Sequence, residues 1–127
     1  MNICTGTGVT AALLAMMTPA IAQSGDAAAG ERVFDQQCKI CHTVEKDGRS
    51  LVGPNLFGMF GRKAGTAGGF SASQAMTNSG IVWDDKTIGE YLRDPKSRVP
   101  GTKMVYAGLK RQEQLDDLIG YLKKATQ

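Results

Sequence analysis

The sequence has little histidine, few aromatic residues and no long apolar run. One His, one Trp and 6% aromatic residues in all leave a small domain with few large side chains for its core. The first 22 residues carry no charge, but their apolar stretch is far shorter than the roughly 20 residues of a membrane-spanning helix. These shortages argue against a transmembrane segment, and an apolar cofactor would supply the missing burial.

The N-terminal 22 residues have the composition of a secretory signal peptide. An apolar stretch beginning at Val9 ends in the small-residue sequence Ala20-Ile21-Ala22, which is typical of a signal-peptidase site. We therefore expect cleavage after Ala22, so that residues 1–22 are removed and residues 23–127 form one domain. Since the removed segment is uncharged, this domain keeps the formal net charge of +3.

The apolar spacing predicts an all-α domain whose first and last segments are helices. Residues 27–37 place Gly30, Val33 and Phe34 at helical spacing behind Asp26, which is a suitable N-cap. The clearest amphipathic stripe is the i, i+3, i+4, i+7 series of Leu115, Leu118, Ile119 and Leu122.

The middle of the chain is predicted to be mostly loop. Residues 43–69 are rich in Gly and charged residues and show no sustained hydrophobic period. A short helix is predicted within residues 73–79 and a third main helix within residues 84–93, ending before Pro95. Residues 100–108 are again irregular. Loops of this length need something other than their own side chains to organise them.

The sequence CKICH, from Cys38 to His42, is the attachment motif of c-type haem. Because positions i and i+3 of one helical turn point to the same side, both thiols can reach the two vinyl groups on one edge of a porphyrin. His42 follows within the same turn and can present its imidazole to the iron. The motif thus predicts one covalently bound haem c with His42 as an axial ligand.

Three other interpretations of these residues remain open. A structural zinc site requires four nitrogen or sulfur ligands, whereas residues 23–127 contain two Cys and one His. A redox-active dithiol usually follows a strand and begins a helix, whereas this pair follows a predicted helix. The third alternative is a chance match in a secreted helical protein with one disulfide.

The second axial ligand decides between electron transfer and the binding of small molecules. The candidates are Met59, Met76 and Met104. Met104 is favoured because it lies in an irregular loop rich in Gly and Pro, where a methionine has no helical core face to fill. Gap filling in the core explains Met59 and Met76 more naturally. With a His/Met pair the protein is an electron carrier and no enzyme, while an open sixth position would instead suit a peroxidase-like haem enzyme or a ligand sensor.

Several longer segments together make the chain resemble the class I cytochromes c, the family of the mitochondrial protein and its soluble bacterial relatives. The resemblance extends from about residue 25 to residue 127 and includes GERVFDQQCKICHTV, VGPNLFGMFGRKAG, GIVWDDKTIGEYLRDPK, VPGTKMVYAG and DLIGYLKKAT. It implies a small single-domain cytochrome c fold, in which three main helices and long loops wrap around one haem. It also implies a one-electron carrier between membrane redox complexes, such as a quinol:cytochrome c oxidoreductase and a terminal oxidase or photosynthetic reaction centre.

The resemblance assigns expected roles to residues outside the attachment motif. Pro54 is expected to accept a hydrogen bond from His42, and Tyr91 to lie near the Met104 sulfur. The residues expected at the haem propionates are Arg62, Trp83 and Thr102. In the same way, Gly30 and Phe34 of the first helix are expected to cross Leu118 and Tyr121 of the last. Two positions depart from the family pattern, since Ala72 stands where a tyrosine is usual and Met76 where an asparagine is common.

The distribution of charge suggests a type of partner, and the N-terminal leader suggests a cellular compartment. Residues 93–111 contain a single acidic residue, Asp94, and the exposed basic face is expected to consist of Lys96, Arg98, Lys103, Lys110 and Arg111. Such a one-sided field would steer an acidic docking surface towards the Met104 loop. No nucleic-acid-binding motif is present, and a monomer is expected. The leader distinguishes the chain from the mitochondrial protein and predicts the bacterial periplasm.

Overall fold

A computed structural model describes residues 25–127, so the expected signal peptide and its cleavage after Ala22 lie outside the described residues. The helices follow one another as α1 (Ala27–Gln37), α2 (Gln74–Thr77), α3 (Asp85–Arg93), α4 (Pro95–Arg98) and α5 (Gln112–Ala125). Within residues 25–127, β pairing is limited to one isolated bridge between Lys63 and Val82. The predicted all-α, single-domain fold with three main helices is confirmed.

The first helix begins where its capping residue predicts. The Asp26 carboxylate accepts hydrogen bonds from the backbone N–H groups of Ala28 and Ala29, at 2.9 and 3.3 Å, and so satisfies two donors that the first turn cannot. The backbone N–H of Asp26 itself donates to the Asp117 carboxylate of α5 at 2.7 Å. The start of α1 is therefore tied to the last helix as well as capped.

The helices α1 and α5 cross at a glycine, as the resemblance implied. A Cβ atom on Gly30 would lie 1.9 Å from the Asp117 carbonyl oxygen and 2.8 Å from the Tyr121 Cβ. Next to this crossing the rings of Phe34 and Tyr121 pack with centroids 5.4 Å apart, and Leu118 is fully buried. Only a residue without a side chain allows the two backbones to approach this closely.

Side-chain caps define α3 and start a helix that the sequence analysis missed. The Asp84 carboxylate accepts from the Thr87 backbone N–H at 2.7 Å, while the Thr87 hydroxyl accepts from the Asp84 N–H at 2.8 Å, which forms a capping box. Asp94 caps the short α4, whose first residue is Pro95. In the sequence Pro95 predicts only the end of α3, although proline also suits the first position of a helix.

The core extends from the α1–α5 crossing to the inner faces of α3 and the loops. Leu115, Leu118, Ile119 and Leu122 of the predicted stripe are all buried, and so is Met59, as its gap-filling interpretation predicts. Within residues 25–127 none of the helices has the length and apolar character that crossing a membrane requires. The long loops pack against this core and leave a central cavity.

The helix crossing generates a stability prediction. We expect Gly30→Ala to lower the free energy of unfolding by roughly 2 kcal/mol or more, because the added methyl group overlaps a backbone carbonyl that cannot rotate away. The control is Gly89→Ala on α3, where the new Cβ would lie 3.4 Å from the flexible end of Ile119 and alanine improves helix propensity by up to about 1 kcal/mol. Guanidinium unfolding of the haem-loaded protein measures both. Equal losses in the two variants would contradict the close-packing argument.

Candidate functional site

A central cavity of about 420 Å³ collects the residues that the sequence analysis singled out. Its walls are mainly apolar and come from α1, α3, α5 and the loops between them. All nine predicted site residues line it: Cys38, Cys41, His42, Pro54, Arg62, Trp83, Tyr91, Thr102 and Met104. The two departures from the family pattern, Ala72 and Met76, line the same cavity. The structure thus brings together residues separated by up to 66 positions in sequence, from Cys38 to Met104.

The attachment motif forms one helical turn immediately after α1. The backbone N–H groups of Cys41 and His42 both donate to the Cys38 carbonyl, at 3.0 and 2.9 Å. Cys38 and Cys41 are free thiols, and both line the cavity together with His42. This is the single-turn geometry that the spacing of the motif predicts, with all three functional groups on one side.

Two loop residues orient the His42 ring. The Pro54 carbonyl oxygen lies 2.8 Å from His42 Nδ1, and because a carbonyl only accepts, Nδ1 carries the proton and Nε2 keeps its lone pair. Gly53 lies directly against the ring, since a Cβ there would lie 2.3 Å from His42 Cε1. Burial lowers the pKa of His42 and is opposed by its hydrogen bond to Pro54. The imidazole is therefore neutral and held as a metal ligand would be.

The thiol chemistry opposes the dithiol interpretation. Burial, and to a lesser extent the neighbouring Cys41, raise the pKa of Cys38 to about 11, whereas a redox-active cysteine has a lowered pKa. Among residues 25–127 no three His, Cys, Asp or Glu side chains converge as a structural metal site requires. The cysteines are also unbonded to each other. The arrangement suits two thiols that become attached to a group inside the cavity.

A chain of hydrogen bonds connects α3 to the backbone of Met104. The hydroxyl groups of Tyr91 and Thr102 lie 2.7 Å apart, and the Met104 N–H donates to the Thr102 hydroxyl oxygen at 3.3 Å. Burial raises the pKa of Tyr91, which its bond to Thr102 partly offsets, so the phenol stays neutral. Tyr91 and Thr102 therefore position the start of the loop that carries Met104, residues 103–108, called here the methionine loop.

Arg62 and Trp83 occupy another part of the cavity wall. The Arg62 guanidinium donates to the Phe57 carbonyl at 3.1 Å and, more weakly, to the Asn55 carbonyl at 3.4 Å. Burial lowers its pKa, but a guanidinium remains charged at any physiological pH. Trp83 is buried and its ring packs against that of Tyr91 at 5.4 Å. The Arg62 guanidinium thus places a positive charge on a mainly apolar wall, which suits an anionic substituent of a bound group.

The predicted basic face is partly neutralised by neighbouring acids. Three of its five residues pair with carboxylates: Arg98 with Glu90 at 3.0 Å, Lys110 with Asp94 at 4.0 Å and Arg111 with Glu113 at 3.6 Å. Lys96 and Lys103 make no ion pair with any other residue of the range 25–127. Of these two, Lys103 lies at the cavity. Within this face, the positive charge that no neighbouring acid offsets is therefore that of Lys96 and Lys103.

The cavity has an apolar rim that the sequence patterns do not predict. Ile40, Val52 and Val105 are 82%, 75% and 90% exposed, yet all three line the cavity. They come from the attachment motif, the loop before Pro54 and the methionine loop. Nothing in the local sequence shows that these three side chains share one surface. The three exposed side chains therefore form an apolar rim around the opening of the cavity.

The cavity fits a haem c. Its walls are apolar enough to exclude water from a macrocycle. Two thiols and one ring-oriented imidazole lie together on one side of it. The thioether of Met104 lines the same space. The Arg62 guanidinium would be available to pair with a propionate. Each of these groups matches a haem substituent or an axial position of its iron.

Comparisons with known proteins agree with this fit. The family model for cytochrome c matches residues 27–126. A cytochrome c of Chlamydomonas reinhardtii is 50% identical over 111 residues, which covers 87% of this chain and 99% of the relative. A cytochrome c2 of Blastochloris viridis is 49% identical over 112 residues, or 88% and 86% of the two chains. A Ginkgo biloba cytochrome c is 49% identical over 105 residues, or 83% and 93%.

These matches cover nearly all of the residues that the structure describes. They include the attachment turn, the cavity wall and the two crossing helices, and they occur at identities far above those at which fold alone is shared. The chain belongs to the cytochrome c family of electron carriers with covalently bound haem c.

Proposed function

We propose that this protein is a one-electron carrier whose haem c is bonded to Cys38 and Cys41 and whose iron is ligated by His42 and Met104. The observation that carries the proposal is that all four side chains line one apolar cavity. His42 is already oriented by Pro54 at 2.8 Å. When bound, the haem supplies the one-electron couple of its iron.

The residues of the chain tune and protect that couple. The neutral imidazole of His42 and the soft thioether of Met104 saturate the iron, and the thioether favours the reduced state and raises the potential. The apolar walls exclude water, while the rim of Ile40, Val52 and Val105 leaves one edge accessible. Electron transfer then needs no opening of the protein and no substrate in the cavity. A saturated iron is also what separates a carrier from a haem enzyme or a small-ligand sensor.

We further propose that the protein works as a monomer in the bacterial periplasm, where it carries electrons between membrane redox complexes. The complexes in question are a quinol:cytochrome c oxidoreductase and a terminal oxidase or photosynthetic reaction centre. The leader sequence supports the location, and the apolar rim next to Lys103 supports docking on an acidic partner. The unpaired Lys96 adds to the same basic face.

Covalent attachment is tested by extraction. We expect the purified mature protein to retain its haem in acid and organic solvent, because thioether bonds survive conditions that break the iron–ligand bonds. Cys38→Ala and Cys41→Ala should each leave a single thioether, and the double variant should release the haem. Absorption spectra of the extract and mass spectrometry of the polypeptide measure the outcome. Free extraction from the wild type would contradict the proposed attachment.

Methionine ligation is tested by substitution. Met104→Ala should leave a folded haem protein with a lower potential and new affinity for carbon monoxide, because the sixth iron position is no longer saturated. Met76→Ala is the matched control, since Met76 also lines the cavity but is proposed only to fill space. Redox titration and spectra with carbon monoxide measure both variants. Carbon monoxide binding by the wild type at a comparable level would overturn the carrier assignment.

Steering by charge is tested by ionic strength. Electron transfer to an acidic partner should slow as salt rises, since the Debye length falls from about 10 Å at 0.1 M to about 3 Å at 1 M. At low salt, Lys103→Glu should reduce the encounter rate about tenfold or more. Lys46→Glu changes the net charge equally but lies outside the cavity lining, so it should have a smaller effect. Stopped-flow kinetics compare the two, and equal effects would show that the charge near the cavity does not steer.

A further inference from the structure

The backbone of the methionine loop, residues 103–108, makes few hydrogen bonds. Along it Lys103, Val105 and Ala107 are exposed while Met104 and Tyr106 are half-buried, so the segment is extended and points alternate side chains inwards. Within the part of the chain that the structure describes, its backbone makes one hydrogen bond, from the Met104 N–H to the Thr102 hydroxyl. Segments with so few backbone hydrogen bonds open at low free-energy cost.

The loop is fixed firmly only at its ends. At one end the Thr102 N–H donates to the Val99 carbonyl at 3.0 Å, and the Thr102 hydroxyl bonds Tyr91. At the other end the Leu109 N–H donates to the Leu92 carbonyl at 2.8 Å. Both ends are therefore held on the α3 side of the cavity. Within residues 25–127 no backbone hydrogen bond holds the middle of the loop against the opposite wall.

Among the residues that the structure describes, one side-chain hydrogen bond joins the middle of the loop to the opposite wall. The Tyr106 hydroxyl donates to Gln37 Oε1 at 2.6 Å, across 69 residues of sequence. Gln37 is the last residue of α1 and immediately precedes Cys38. Gln37 and Tyr106 both line the cavity. The bond therefore connects the loop that carries Met104 directly to the helix that carries the attachment cysteines.

We propose that the Tyr106–Gln37 hydrogen bond is a latch that keeps the methionine loop closed over the cavity. Tyr106 is then a positioning residue for Met104, and the latch sets how often the methionine side of the iron becomes accessible to external ligands. The inference rests on the proposed ligation by Met104. The Tyr106–Gln37 hydrogen bond would determine how long Met104 stays bound to the iron. Neither Tyr91 nor Thr102 has this role, because both act at the fixed end of the loop.

The size of the effect follows from the strength of one hydrogen bond. The net free energy that a hydrogen bond between two neutral groups typically contributes corresponds to a change of about twofold to tenfold in the population of the open loop. Tyr106→Phe keeps the ring in the cavity wall and removes only the donor. Gln37→Met keeps the length of the side chain and removes only the acceptor. Gln37→Glu replaces the acceptor with a charged one, which strengthens the bond.

The experiment uses the haem-loaded protein and two measurements. The first is the rate at which imidazole replaces the proposed methionine ligand on the oxidised iron, and the second is amide hydrogen exchange across residues 103–108. We expect Tyr106→Phe and Gln37→Met each to raise both rates by about twofold to tenfold, and the double variant to add little more. Gln37→Glu should lower both rates. Tyr121→Phe is the matched control, because that hydroxyl makes no hydrogen bond within residues 25–127, and it should change neither.

The outcomes separate the latch from the ligation. If imidazole binds the wild type as fast as it binds Met104→Ala, the proposed ligation fails, and amide exchange alone then decides whether the latch exists. If the wild type excludes imidazole but neither single variant changes ligand entry or exchange, the latch is wrong and the ligation stands. Additive effects in the double variant would likewise overturn the latch, because two residues acting through one bond cannot contribute separately.

Discussion

The close approach of α1 to α5 at Gly30 is the contact on which the rest of the structure depends. It joins the two ends of the described chain, since Gly30 lies near its start and Asp117 near its end. The Asp26 N–H bond to the Asp117 carboxylate fastens the same junction. With the ends joined, everything between them becomes one closed loop of chain. The cavity is the space that this loop encloses, and Cys38 enters it directly from the end of α1.

The loops around the cavity are ordered by tertiary contacts between single groups more than by secondary structure. Pro54 and Gly53 hold the His42 ring from one loop, whereas Tyr91 and Thr102 hold the start of the methionine loop from another. These contacts shape a binding cavity that suits a flat apolar group. Such a cavity explains why the sequence needs few large side chains, because a bound macrocycle supplies the burial that a domain of this size otherwise lacks.

The surface of the site combines charge and apolar contact in a way that suits a short-lived complex. Most of the predicted basic face is paired with neighbouring acids, and surface pairs of this kind add little to stability. They do offset part of the positive charge of this face, while Lys103, beside the opening, makes no ion pair within residues 25–127. The exposed rim of Ile40, Val52 and Val105 offers apolar surface at the opening of the same cavity. Charge would govern the approach, and the rim the final contact.

Local patterns in the sequence determined the three main helices, their caps at Asp26 and Asp84, and the attachment turn, because each depends on residues within one or two turns of each other. The resemblance to a family added the glycine crossing and the cavity-lining roles. Only the tertiary structure decided which lysines are free, which apolar residues form the rim, and that Tyr106 meets Gln37. Those features bring together positions far apart in the chain. Local hydrophobic periodicity and short motifs do not predict which distant side chains will lie next to each other.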